Sequence, residues 1–138
     1  EVQGQRGIFG FLGDRSGEGM HAMKYLDFIQ EREGTVRLNA IAAPPVEFDS
    51  ILATFTSGLE HERHITAQIN ALMDLAVRES DHATQGFLRW FIDEQVEEEG
   101  TIREIVQRLR LVGQEGMGLY LVDKELATRA APAAAPAQ

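Results

Sequence analysis

The sequence of 138 residues contains no cysteine. That excludes a disulfide framework, a thiolate nucleophile, an iron–sulfur cluster and every zinc site that depends on sulfur, so any bound metal must use oxygen and imidazole ligands. Long apolar runs are also missing. None approaches the roughly 20 residues that span a bilayer, and the opening Glu1-Val2-Gln3-Gly4-Gln5-Arg6 lacks the basic start and apolar stretch of a signal peptide. The expectation is a soluble chain in a reducing, cytoplasmic compartment. Glu1 stands where a translated chain would carry Met, so the start is expected to have been processed, trimmed or left out. Positive charge is scarce, with 13 Lys plus Arg against 22 Asp plus Glu and a formal net charge of -9. A field of that sign repels phosphate backbones and anionic lipid, so neither nucleic acid nor a membrane is expected as a partner. The length suits one domain.

Glycine is crowded at the start, at Gly4, Gly7, Gly10, Gly13, Gly17 and Gly19. Each costs a helix about 1 kcal/mol relative to Ala, so residues 1–13 are expected to be irregular. From about Asp14 a helical spacing sets in, with Glu18, His21, Tyr25 and Phe28 on one side, and Gly34 is its expected end. Residues 35–47, with Pro44-Pro45 in an extended path, read as a connection long enough to cross a bundle. Asp49 or Ser50 can cap a second helix whose apolar positions are Phe48, Leu52, Phe55, Leu59, Ile65, Ile69, Leu72 and Met73, running to Arg78. Ser80-Asp81 marks a break and a new cap. Phe87, Leu88, Phe91, Ile102, Ile105, Leu109 and Val112 then carry a third helix to Gly113, and the short link makes these two helices antiparallel neighbours. A short amphipathic helix from Leu119 to about Arg129 follows. The helical domain is therefore placed at residues 1–130, and the Ala/Pro-rich residues 131–138 are expected to be disordered.

Charge interrupts the stripes. The second stripe runs 48, 52, 55, 59, 62, 66, 69, 73, and position 62 is Glu62. The third contains Glu94 and Glu98, with Gln95 reachable from the same side, and the first helix sets Glu18 and His21 three residues apart on one face. An inward carboxylate must pair, protonate or bind a cation. One such Glu reads as a paired or partly exposed residue, and His21 alone reads as a hydrogen-bonded core histidine. Together they read differently, because neutralising Glu18, Glu62, Glu94 and Glu98 by ion pairs would need inward Lys or Arg, and the stripes hold none. A metal supplies the missing positive charge. Oxygen-rich ligands with one imidazole favour iron or manganese over zinc, and bridging carboxylates favour two ions about 3.5–4 Å apart.

The stretches His21-Ala22-Met23-Lys24, Leu59-Glu60-His61-Glu62, Phe87-Leu88-x-Trp90-Phe91, Glu94-Gln95-Val96-Glu97-Glu98-Glu99 and Gly118-Leu119-Tyr120-Leu121-Val122-Asp123-Lys124-Glu125-Leu126 resemble the prokaryotic non-haem ferritins in order and spacing, over about residues 16–130. Di-metal sites of this kind are the known template of ferritin-like bundles, so the match is one of resemblance. The resemblance implies an all-α, ferritin-like four-helix bundle with a long crossover connection and a short C-terminal helix. It further implies an iron storage subunit of a homo-oligomeric 24-subunit cage, a ferroxidase that oxidises Fe(II) with dioxygen and stores the ferric product as mineral. By the same resemblance Glu18 bridges two irons, His21 ligates the first, and Glu62 and Glu98 hold the second. Gln95 lies beside the site, Glu94 and Glu97 join Glu98 in an additional inner iron site, and the last helix lines the four-fold axes.

Residues 1–15 match nothing in the family's first helix, which supplies one more ligand, so that helix is expected to be missing or divergent and the activity impaired by the loss. Gly17 replaces a Glu that serves the additional site in the family. The alternative expectation is a non-catalytic or truncated ferritin-like shell subunit with an incomplete iron centre. An oxidase of small organic substrates would need a pocket that the sequence does not show. Haem is not expected, because Gly19 stands where haem-binding relatives carry Met. His61-Glu62-Arg63-His64 is no metalloprotease motif, since that motif needs histidines four apart and these are three apart.

Overall fold

The computed structural model describes residues 16–40, 43, 48–113 and 116–129, with side chains described from Gly19 to Ala127 within these. Four helices make up the regular structure among the described residues: α1, Ser16–Glu31; α2, Ile51–Arg78; α3, His82–Val112; and α4, Met117–Arg129. They form two compact units, residues 45–114 and residues 1–44 with 115–138. The expected irregular start at 1–13, the Pro44-Pro45 part of the crossover and the tail at 131–138 lie outside the described residues.

The unit of residues 45–114 is an α2–α3 helical hairpin. α2 begins where Ser50, in extended backbone, accepts a hydrogen bond from the Ala53 N–H at 3.0 Å, so Ser50 is the cap and Asp49 is not. Its 28 residues span about 42 Å at 1.5 Å per residue. Phe55, Leu59, Glu62, Ile69 and Ala76 are buried along one face, and Leu88, Phe91, Gln95, Ile105, Val106 and Leu109 answer them on α3. Phe48 precedes the cap and is exposed, and Leu72 is also exposed, so neither belongs to the stripe assigned to it. At 100° per residue a three-four rhythm admits neighbours on both flanks, and only the partner helix decides which flank it covers.

The turn between these helices is closed from both sides. The Asp81 N–H reaches Ala76 O at 2.8 Å and the Ser80 N–H reaches Val77 O at 3.1 Å, which together end α2 in a Schellman motif with Ser80 left-handed at φ 55°. Asp81 then caps α3: Oδ1 accepts from the Thr84 N–H at 3.1 Å and Oδ2 from the Thr84 hydroxyl at 2.7 Å. The Gln85 amide adds a bond to Ala76 O across the turn. One residue thus ends one helix and begins the next.

In the other unit, α1 ends in the same way, with the Gly34 N–H on Ile29 O at 2.8 Å and the Glu33 N–H on Gln30 O at 2.9 Å. The left-handed residue is Glu33, at φ 59°, not Gly34 as expected from sequence. Gly34 is required for space instead, since a Cβ there would stand 2.7 Å from Ile29 Cγ2 and 2.9 Å from Ile29 O. His21, Tyr25 and Phe28 are half-buried on one face of α1, as their spacing implies. On α4, Leu119, Val122, Asp123 and Leu126 are buried, while Met117, Tyr120 and Leu121 are exposed.

Two outcomes follow for stability. Ser80→Gly removes a left-handed side chain and is expected to raise the unfolding free energy by up to about 1 kcal/mol, whereas Asp81→Ala loses the cap and costs about 1 kcal/mol; thermal unfolding of both variants should give shifts of opposite sign. Burial raises the Tyr25 phenol above its ordinary 10.0. A folded-state value above the unfolded one contributes stability that is present below pH 10 and lost as pH rises through the folded value. The stability difference between the parent and Tyr25→Phe, read from denaturant titrations, should therefore change above pH 10, with the parent losing more.

Candidate metal centre

Glu62 sits mid-way along α2 and is 3 % exposed, and Gln95, opposite it on α3, is 4 % exposed. Their positions follow from the stripes: each takes a place that Leu or Ile would fill in an ordinary helical hairpin. The Gln95 amide nitrogen donates to Glu62 O at 3.2 Å, to Glu62 Oε2 at 3.4 Å and to Thr66 Oγ1 at 3.2 Å. The Thr66 hydroxyl donates in turn to Glu99 Oε1 at 2.7 Å, and Arg103 donates to Glu99 Oε2 at 3.2 Å. A polar chain therefore runs from a buried carboxylate on α2, through α3 and back, to an ion pair on the α3 surface.

Glu94 and Glu98 lie one turn apart on α3, both half-buried, and each offers a carboxylate oxygen within 4.8 Å of the other's. Two carboxylates at that separation repel, and a cation bound by both removes the repulsion. Glu97, on the same turn, is exposed. The expected emphasis on this helix is reversed, because Gln95 is the deeply buried member while Glu94 and Glu98 are the half-buried ones. His21 is half-buried on α1, in the other unit, and Glu18 lies on α1 ahead of the residues whose side chains are described.

Sequence reasoning missed Thr66 and Glu99. Position 66 belongs to the inward stripe of α2, so a hydroxyl there was a visible signal. Glu99 gave none, since one more acidic residue in a run of three reads as a solvated face. Beside Gln95 the two helices part to leave a cleft of about 240 Å³, lined by Thr66, Ile69, Asn70, Ile92 and Glu99 among others, and it gives solvent a way to the polar chain.

The buried Glu62 on α2 and the half-buried Glu94 and Glu98 on α3 are oxygen donors of the kind hard or borderline cations take. Residues 11–112 match the family model described as a ferritin-like domain. The chain belongs to the ferritin family. It is 44 % identical over 112 residues to the bacterial non-heme ferritin of Staphylococcus saprophyticus, an alignment that covers 81 % of this chain and 67 % of that protein. To the bacterial non-heme ferritin of Staphylococcus aureus strain MRSA252 it is 37 % identical over 119 residues, covering 86 % and 72 %. Among solved structures it is similar to the open pore ferritin of the hyperthermophilic archaeon Archaeoglobus fulgidus, with 44 % identity, a TM-score of 0.85, and coverage of 90 % of this chain and 77 % of that one. The all-α, ferritin-like architecture with a short C-terminal helix is thus shared by sequence and by structure.

For this ferritin chain, Gln95→Leu keeps the volume but removes the donor shared by Glu62 and Thr66. It is expected to destabilise the metal-free protein by about 1–3 kcal/mol, read from denaturant unfolding at neutral pH.

Proposed function

We propose that the chain is an iron storage subunit that oxidises Fe(II) with dioxygen at a di-iron ferroxidase centre and holds the ferric product as mineral inside a 24-subunit cage of identical copies. The observation that carries this reading is the buried Glu62 facing Gln95 in the α2–α3 hairpin of a ferritin family member. A carboxylate there costs stability that Leu would not, and a divalent cation is what makes the cost useful.

The ligand roles come from the family resemblance. Glu18 bridges the two irons, His21 takes the first, and Glu62 and Glu98 take the second. Gln95 stays beside the pair as a hydrogen-bonding group, and Glu94 and Glu97 join Glu98 in an additional site that passes iron inward. Carboxylates stabilise the higher charge of Fe(III) more than that of Fe(II), which favours electron loss, and two adjacent irons supply two electrons to one dioxygen. Iron is the substrate here, and haem has no part in the reaction. The net charge of -9 adds an attractive field for Fe(II).

Stopped-flow records of Fe(II) oxidation test the reading. Glu62→Ala and Glu98→Ala are each expected to lower the initial rate by about tenfold or more, since losing even a group that only supports a metal ligand costs about 10–100-fold, while the native mass stays that of the assembled cage. Progress curves identical to those of the parent chain would refute the ferroxidase assignment.

A further inference from the structure

The hydrogen bonds around Gln95 have a direction, and its source lies two residues away from the amide. Glu99, paired with the Arg103 guanidinium, can only accept. The single proton of the Thr66 hydroxyl is therefore spent on Glu99 Oε1, at 2.7 Å. What Thr66 has left to offer Gln95 is a lone pair, so Gln95 must present its NH2 group, and it does so at 3.2 Å. The second amide hydrogen is shared between Glu62 O and Glu62 Oε2, at 3.2 and 3.4 Å. A reversed amide would set its carbonyl oxygen against three acceptors at once.

We propose that Thr66 and Glu99 are positioning residues for the metal centre: the Arg103-clamped Glu99 fixes the Thr66 hydroxyl, Thr66 fixes the Gln95 amide, and Gln95 holds the buried Glu62 carboxylate in the orientation that takes the metal ion. The inference rests on the iron reading of Glu62. Neither residue meets the ion, and both act through Gln95. Gln95 is buried except for the edge that lines the cleft, and the Thr66 acceptor on one side and Glu62 O on the other both call for the NH2 end of its amide. All five members lie on the α2–α3 hairpin, within one compact unit. Thr66, Gln95, Glu99 and Arg103 all line the cleft, so the outer end of the chain borders solvent.

Partners one bond removed from a metal ligand, the place of Gln95, typically change metal affinity by about 10–100-fold when lost, and Thr66 and Glu99, standing further out, are expected at the low end of that range. The test is an anaerobic titration of the full-length assembled protein with Co(II), read by its visible absorption, for the parent, Glu62→Ala, Thr66→Val, Thr66→Ser and Glu99→Gln. Glu62→Ala should abolish the tightest Co(II) phase. Thr66→Val, which keeps the shape without the hydroxyl, and Glu99→Gln, whose amide can donate as well as accept, should each weaken that phase about tenfold. Thr66→Ser should remain within about twofold of the parent, and Thr66→Val should add nothing further once Glu62 is Ala. Should Thr66→Val fail to fold, the comparison of Glu99→Gln with the parent decides. Parent-like titrations of Thr66→Val and Glu99→Gln beside a silent Glu62→Ala would overturn the positioning role and leave the iron reading standing. So would a Thr66→Ser as weak as Thr66→Val. Identical titrations of the parent and Glu62→Ala would overturn both.

Discussion

The burial of the Glu62 carboxylate against the Gln95 amide is the contact on which the rest of the α2–α3 hairpin depends. The apolar positions facing inward on these helices are satisfied by dispersion and the hydrophobic effect, which have no direction. A carboxylate cannot be satisfied in that way. Its partners must stand within hydrogen-bond reach, and a shift of one residue in helix register moves a side chain by 100° and 1.5 Å. The apolar rows of Phe55, Leu59 and Ile69 against Leu88, Phe91 and Ile105 supply the affinity between the helices. The polar pair selects among the registers those rows would tolerate.

The turn at residues 79–81 serves the same end from a distance. Glu62 and Gln95 are 33 residues apart in sequence, and their meeting requires that the two helices leave the turn at a fixed phase. Asp81 provides that phase by closing α2 through its N–H and opening α3 through its carboxylate. Ser80 accepts a left-handed backbone because the two Schellman bonds return more than the strain removes. A looser link would keep the hydrophobic contact and lose the register. The local chemistry of a three-residue turn thus decides whether two polar groups about four turns away along each helix are in reach.

Much of this was legible in the residues themselves. The stripes located α2 and α3, Ser80-Asp81 located the turn, and the single charged place in the second stripe identified Glu62 as the group needing explanation. The family resemblance supplied the ligand roles and the fold, and the match to ferritins bears out the family. What periodicity did not resolve was depth. Glu94, Gln95 and Glu98 occupy adjacent sectors of one helix, and only the packing of α2 against α3 makes Gln95 the buried one. The same uncertainty placed Phe48 and Leu72 in the stripe although both are exposed. At the end of α1 the motif was readable but its strained member was not: glycine preference pointed to Gly34, whereas the left-handed residue is Glu33 and Gly34 is needed because Ile29 stands too close for a Cβ.

Hydrogen-bond direction is less visible still, because residue type does not say which way a hydroxyl or an amide is turned. Thr66 and Gln95 can each donate and accept, and a chain made only of such groups would have two orientations of similar energy. Asymmetry has to enter at an end that can act in one sense alone. Here it enters twice, at the main-chain carbonyl of Glu62 and at the Arg103-paired carboxylate of Glu99. Both ends accept, so the donors between them must face outward, the amide to Glu62 and the hydroxyl to Glu99. An acidic residue that looks from sequence like one more member of a solvated run is in this way coupled to the buried carboxylate, and the coupling exists only because the hairpin brings residues 62, 66, 95 and 99 to one level.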